Sequence, residues 1–335
     1  MARNFKKNRP LALVNHALAA IVLVASGSAS AQTGAAAYPT KPVKLVVGFA
    51  AGGPTDVVAR AFADHASKAL GQPFIIDNKP GAGTVIAAQA VASAPADGYT
   101  LLFGATNHTM IPALYQGRVK FDAVKSFRPL CTVAGSPTVL VVAPGLPVKT
   151  LADYQAKARA EPGRVTAGTA GVGSSGHFAT EVFARAQGLQ LNHVPYKGAA
   201  PVVTDLMGGQ LDSSFATLGS VLPQIQSGKL RALAVGAPQR SALVPDVPTF
   251  AEAGGGNYAA DVWYGVLAPA GLPESIAQAL ERTAADFAKS PSAAEKLRGM
   301  GMEAESVCGN AFATRVAREV TTYSQIAKAL DLKAD

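Results

Sequence analysis

The chain has 335 residues, two cysteines and a formal net charge of +8. Apolar residues make up 49% and charged residues only 16%, which excludes a disordered polyelectrolyte and predicts large buried cores. No Lys/Arg run with interleaved aromatic residues occurs, so nucleic acid is not an expected partner.

The first residues read as an export signal. Arg3, Lys6, Lys7 and Arg9 form a basic start, Leu11–Gly27 is mostly apolar, and Ala29-Ser30-Ala31 has the small-x-small form of a cleavage site before Gln32. A membrane anchor is the competing reading, weakened by the short apolar run and by Asn15 and His16 within it. Loss of residues 1–31 removes four basic and no acidic residues, so +8 falls to +4. That mild surplus suits an anionic ligand or an anionic membrane surface nearby. The remaining residues, 335 − 31 = 304, are enough for two domains of ordinary size.

Strand and helix patterns then alternate. Val43–Val47 is an apolar, β-branched run. It breaks at Gly48 and passes through Ala50-Ala51-Gly52-Gly53-Pro54 to a helix pattern starting at Thr55-Asp56, with Val57, Val58, Ala61 and Phe62 on one face. Such a turn leaves backbone N–H groups unpaired at a helix N-terminus, where the dipole favours an anion. Two readings stand: an anion site, or only a tight connection. Asp56 likewise either steadies the loop or takes part in recognition through a water or a ligand proton.

Phe74–Asp77 predicts a strand, followed by the Gly-rich turn Asn78–Thr84 and the small-residue helix Val85–Ala94. Strand Thr100–Gly104 opens into Ala105-Thr106-Asn107-His108, and Tyr115–Pro129 reads as irregular. Next come strand Val139–Ala143, helix Leu151–Ala160, strand Val165–Gly168, turn Ala170–Gly176 and helix His177–Ala186. Strand Asn192–Tyr196, helix Ala199–Met207, strand Asp212–Ala216, helix Val221–Ser227 and strand Leu230–Gly236 follow. The C-terminal part reads as a strand-like run Tyr258–Leu267, helices Pro273–Lys289 and Pro291–Met300, strand Met302–Val307 and helix Ala311–Leu330. This α/β order predicts parallel sheets with helices on both faces, and a ligand beyond the carboxyl ends of the strands. Crossings near Ser136–Val141 and Tyr258–Leu267 divide the chain into residues 38–137 plus 259–335 as one domain and 138–258 as an inserted second one.

Gly171-Val172-Gly173-Ser174-Ser175-Gly176 matches the dinucleotide fingerprint between a strand and a helix. The acidic residue that should end the next strand is absent from Leu191–Tyr196, so a nicotinamide cofactor is rejected and none is expected. What remains is a Gly-Ser loop in which Ser174 or Ser175 can cap the helix or turn a hydroxyl toward a carboxylate. Ser174 beside His177 suggests a nucleophile and base, but the G-x-S-x-G elbow is missing. His65, His108, His177 and His193 lack paired ligand spacing, so no metal is expected. Cys131 and Cys308 are either a disulfide or two lone thiols.

The stretches YPTKPVKLVVGFAAGGPTDVVAR, DNKPGAG, APADGYTLLFG, AGTAGVGSSGHFATEVFA, HVPYKGAAPVVTDLMGGQLD, GKLRALAVGAPQRSALVPDVPTFAEAG and WYGVLAPAGLP resemble those of the Bug receptors, the periplasmic solute-binding components of tripartite tricarboxylate transporters. The resemblance implies a two-domain type II periplasmic-binding-protein fold with an interdomain cleft, and no enzyme activity. It implies a small carboxylate ligand, held by amides, hydroxyls and water instead of an arginine clamp, and delivery to membrane permease subunits. By position it implies first-domain contacts from Phe49, Ala50, Ala51, Thr55, Asp56, Gly83, Thr84 and Asn107. Second-domain contacts would be Gly173, Ser174, Ser175, His177, Tyr196, Gly198, Ala199, Thr217 and Leu218. Thr84 stands where many relatives have a second glycine, and Ala216-Thr217 where many have an acid and an amide. The missing acid tilts the expected ligand toward a plain carboxylate such as a di- or tricarboxylate or an aromatic acid. The alternatives are a periplasmic serine hydrolase and a ligand-sensing module that reports to a signalling protein.

Overall fold

Val43, Leu45, Val46 and Val47 are buried while Lys44 faces out, and this run forms the strand that seeds the first sheet. The computed structural model describes residues 1–2, 38–256 and 261–333. The export signal, apart from Met1 and Ala2, and the Tyr258–Ala260 start of the second crossing lie outside the described residues. Pro39–Asp335 forms one compact unit. No helix among the described residues is long and apolar enough to cross a membrane.

The elements in chain order are β1 (Val43–Val47), α1 (Pro54–Leu70), β2 (Phe74–Asn78), a 3-10 turn Ala82–Thr84, α2 (Val85–Ala92), β3 (Thr100–Ala105), α3 (Asn107–Leu114), β4 (Phe127–Val142), α4 (Leu151–Ala160), β5 (Thr166–Thr169), α5 (Ser175–Ala186), β6 (Asn192–Pro195), α6 (Ala199–Met207), β7 (Ser213–Thr217), α7 (Leu218–Gln226), β8 (Arg231–Gly236), β9 (Asp261–Pro269), α8 (Glu274–Lys289), α9 (Pro291–Gly299), β10 (Glu303–Ala304) and α10 (Gly309–Leu330). Several element boundaries differ from the sequence expectation, most of all at α3 and β4. α3 occupies part of the 106–114 segment despite Pro112. β4 begins twelve residues before the expected Val139 and runs for 16 residues. The prolines that disguise it are Pro129, at a register shift against β9, and Pro137; bulges and strand irregularities are where proline is tolerated in sheets.

The sheets are mixed, which corrects the expectation of parallel ones. β1 pairs β2 and β3 in parallel, and β5 pairs β6 and β7 in parallel. β9 lies antiparallel to both β3 and β4, and β4 lies antiparallel to β7, β8 and β10. β4 belongs to both sheets: Phe127–Pro137 pairs with β9, and Thr138–Val142 with β7 and β8. One long strand therefore carries the chain from the first sheet into the second.

Each sheet has its own apolar core. In the first, Val46, Leu102, Trp263, Leu267 and Phe312 pack together. In the second, Leu140, Tyr154, Phe183, Phe215 and Phe250 fill one face, and Val139, Val141, Leu206 and Val221 the other. At about 1.5–3 kcal/mol for each large apolar side chain removed from water, these layers dominate stability. Cys131 of β4 and Cys308 at the start of α10 form a disulfide, settling the question the sequence left open. Where β4 changes sheets, the buried Ser136 hydroxyl donates to the Gly301 carbonyl at 3.1 Å and accepts from the Gly219 N–H at 3.3 Å.

Candidate functional site

The turn after β1 meets α1 through Gly53, which caps the helix with no side-chain bond. Pro54 has no N–H and Val57 bonds back to Gly53, so the Thr55 and Asp56 amides have no partner within the helix. Both oxygens of the Asp56 carboxylate are engaged by the protein. Its Oδ2 accepts from the Gly52 N–H at 2.9 Å and from Arg60 Nε at 2.8 Å; its Oδ1 accepts from Arg60 Nη2 at 3.1 Å and Asn78 Nδ2 at 2.9 Å. Asn78 Nδ2 also donates to the Phe49 carbonyl at 3.0 Å. Burial alone would raise the Asp56 carboxyl; hydrogen bonds from Arg60, Gly52 and Asn78 outweigh it and hold the group below its usual range. The loop-steadying reading of Asp56 is the one this geometry fits.

The second turn of this sheet, Gly81–Thr84, is built on left-handed backbone. Gly83 has φ 57° and Thr84 φ 79°, a region that a β-branched residue enters only under strain. This explains why glycine suits the position of Thr84. The threonine hydroxyl accepts from Asn107 Nδ2, which also donates to the Gly83 carbonyl at 3.3 Å. Asn107 Oδ1 is buried with no protein partner. Gly83 is pressed against the Tyr115 hydroxyl, 2.8 Å from where a Cβ would stand.

In the second sheet, three helix N-termini face one cavity. Ser174 caps α5: its Oγ accepts from the His177 N–H at 3.2 Å, leaving the Ser175 and Gly176 amides without a helical partner. Gly198 and Thr217 precede α6 and α7 without side-chain caps. A cavity of about 50 Å³ is lined by Ser174, Ser175, Gly176, Ala199, Ser214, Thr217 and Ser220, among others. That volume suits a carboxylate group or one or two waters. Gly176 is obligatory, since a Cβ there would stand 2.2 Å from the Phe215 carbonyl oxygen.

Of the residues expected in the site, Ser174, Ser175, Ala199 and Thr217 line this cavity. Gly83, Thr84 and Asn107 form a second group, and Phe49 and Asp56 a third joined by Asn78. Tyr196 turns away: its hydroxyl donates to Asp205 at 2.6 Å, which raises it to about 12. The Thr217 hydroxyl donates to Ser220 Oγ at 3.2 Å. Ala50, Ala51, Thr55, Gly173, Gly198 and Leu218 lie in or beside the same turns. Ser214, Ser220, Asn78 and Arg60 escaped the sequence reading. Only Arg60 carried a visible signal, four residues after Asp56 on one helix face.

His177 lies in the first turn of α5 and is not placed as a base for Ser174. Its Nδ1 accepts from the Gly173 N–H at 3.3 Å, while Ser174 Oγ is engaged by the His177 backbone. Burial, with the neighbouring His193, pushes the His177 imidazole down to about 4. His177, Glu181 and His193 have potential metal-ligand atoms within 4.8 Å of one another. Their geometry does not suit an ion. The two rings stack at 4.3 Å with 19° between planes, so a single ion cannot lie in both ring planes at bonding distance. His193 Nε2 is also engaged by Thr169 Oγ1 at 2.7 Å.

Residues 58–332 match a family model described as the tripartite tricarboxylate transporter family receptor. Among solved structures, the Rhodopseudomonas palustris protein Rpa4515 with adipate is 36% identical, with a TM-score of 0.83 over 89% of this chain and all of that one. The periplasmic binding protein BugD is 30% identical, with a TM-score of 0.81 over 89% of this chain and 100% of its own. MatC from Rhodopseudomonas palustris with bound malate is 29% identical, with a TM-score of 0.79 over 86% of this chain and 99% of its own.

Proposed function

The chain belongs to the tripartite tricarboxylate transporter receptor family, and from that premise we propose that it captures a small carboxylate between two lobes and presents it to membrane permease subunits. The lobes are residues 38–137 with 259–335, and 138–258; β4 joins them. The observation that carries the reading is the convergence of the N-termini of α5, α6 and α7 around one small cavity, with the Gly219 amide of α7 already taken by Ser136. Its walls combine those N-terminal turns and their serine and threonine residues with the apolar side chains of Val202, Val203, Leu206, Phe215 and Val221, and include no carboxylate. Charge-assisted bonds from such donors are about twice as strong as neutral ones. The α1, Gly81–Thr84 and Asn107 turns supply the opposing half, so the full set of bonds is complete only when the lobes close. That difference lets a ligand shift the open–closed balance. Adipate and malate in the two relatives support a dicarboxylate. Export to the periplasm accords with the basic and apolar N-terminus.

A thermal-shift screen with adipate, malate and aromatic acids tests this. At 100 times its dissociation constant a ligand stabilises by about 2.7 kcal/mol. No rise in melting temperature with any mono-, di- or tricarboxylate would sink the assignment.

A further inference from the structure

We propose that Arg60 and Asp56 form a counter-ion clamp: Asp56 positions the Ala50–Gly53 turn by holding the Gly52 amide, and Arg60 cancels the charge that this carboxylate would otherwise present to the bound anion. The inference rests on the carboxylate-receptor reading and adds to it a positioning residue and the group that makes it compatible with an anion.

A carboxylate in the first turn of a helix steadies that helix. At a helix N-terminus used for anion binding it is also a liability, because the guest sits within one turn of it. The geometry resolves the conflict. The Asp56 side chain is 2% exposed, whereas the Arg60 side chain is 53% exposed. Arg60 therefore reaches in from the solvent side and bonds both carboxylate oxygens, at 2.8 and 3.1 Å. Asn78 braces the pair, accepting from Arg60 at 3.2 Å and donating to Asp56 and to the Phe49 carbonyl. The Gly52 amide bond closes the turn from the inside. Both carboxylate oxygens are thus engaged by the protein. A ligand ammonium group would have to displace Arg60 to reach them, so the site favours acids without one. The other charged groups at this end of β2 pair among themselves, Asp77 with Lys79 at 3.3 Å and with Lys44 at 3.8 Å.

The test is calorimetric titration of adipate and malate into the protein and its Arg60→Gln, Arg60→Lys, Asp56→Asn and Arg60→Gln/Asp56→Asn variants. Uncovering one charge about a helical turn from the guest should weaken binding about three- to tenfold in Arg60→Gln. Arg60→Lys should recover part of this. Asp56→Asn, whose amide oxygen can still accept from Gly52, should bind at least as tightly as the parent, and the double variant should match it. A double variant no better than Arg60→Gln, or an Asp56→Asn variant that loses binding as a contact residue would, overturns the proposal. An unaltered protein that binds neither acid bears on the choice of ligand and on the receptor reading, not on the clamp. The clamp is then read from hydrogen exchange at the Gly52 amide: protected in the parent and Asp56→Asn, fast in Asp56→Ala. Equal protection in Asp56→Ala overturns it.

Discussion

Leu114 and Gly173 meet where α3 of the first sheet touches the glycine-serine loop of the second: a Cβ built on Gly173 would lie 2.9 Å from Leu114 Cδ1. The contact continues into an apolar cluster in which Phe178 of α5 packs against Met110 and Leu114 of α3 and Ala327 of α10, with the Phe178 and Tyr323 rings 5.4 Å apart. The glycine-serine loop before α5 is thereby seated directly on α3 and α10.

Gly173→Ala should lower both stability and affinity. Its φ of 80° is left-handed, and the added methyl presses on Leu114. A cost of about 1–2 kcal/mol is expected, read from urea denaturation. Leu114 is itself buried in the core, so adding Leu114→Ala should lower stability further by opening a cavity, by less than the two single losses summed.

Ser174→Ala removes the cap of α5. Losing a serine cap costs about 1 kcal/mol. The same hydroxyl lines the cavity, so carboxylate affinity should fall as well, whereas a hydrolase would lose turnover. Denaturation and calorimetric titration separate the two effects.

The Cys131–Cys308 disulfide spans 177 residues of sequence and ties β4 to the start of α10. Replacing both cysteines with serine should cost about 2–5 kcal/mol. The expected readout is a lower denaturant midpoint that the reduced parent protein reproduces.

Acidification should destabilise the fold before the carboxylates titrate. Burial pushes His108 and His177 down to about 4, and His193 is lowered in the same direction. An unfolded histidine titrates near its ordinary value of 6.5. Between those limits the unfolded chain binds more protons, so stability is fully present above pH 6.5 and is lost as pH falls toward 4. Each histidine contributes a slope of up to about 1.4 kcal/mol per pH unit. His108 Nε2 faces the Ala123 carbonyl at 2.8 Å, and His108→Gln, which removes the titrating ring, should flatten the slope in urea denaturation measured between pH 7 and pH 4.

Most helices were legible because their signals are local. The spacing of Leu151, Tyr154 and Ala158 with the Thr150–Asp153 capping box marks α4 to the residue. The first turn of α5 was less so: Ser174, not Ser175, is its cap, and the helix begins two residues before the expected His177. β4 was half hidden because its prolines carry a turn signal that only pairing with β9 overrides. The direction of β9 depends on strands far away in sequence.

The amino-acid order by itself determined the alternation of strands and helices, the glycine-rich turns between them and, through resemblance, the receptor family. Pattern and propensity act within a few residues, and a turn's chemistry is set by the residues in it. Only the tertiary structure decided that Cys131 meets Cys308, that Tyr196 is tied to Asp205, and that the Asp56 charge is consumed by Arg60, Gly52 and Asn78. Each of these depends on which groups a folded backbone brings within about 3–4 Å, where hydrogen bonds and covalent links become possible, and that proximity is set by packing between elements distant in the chain.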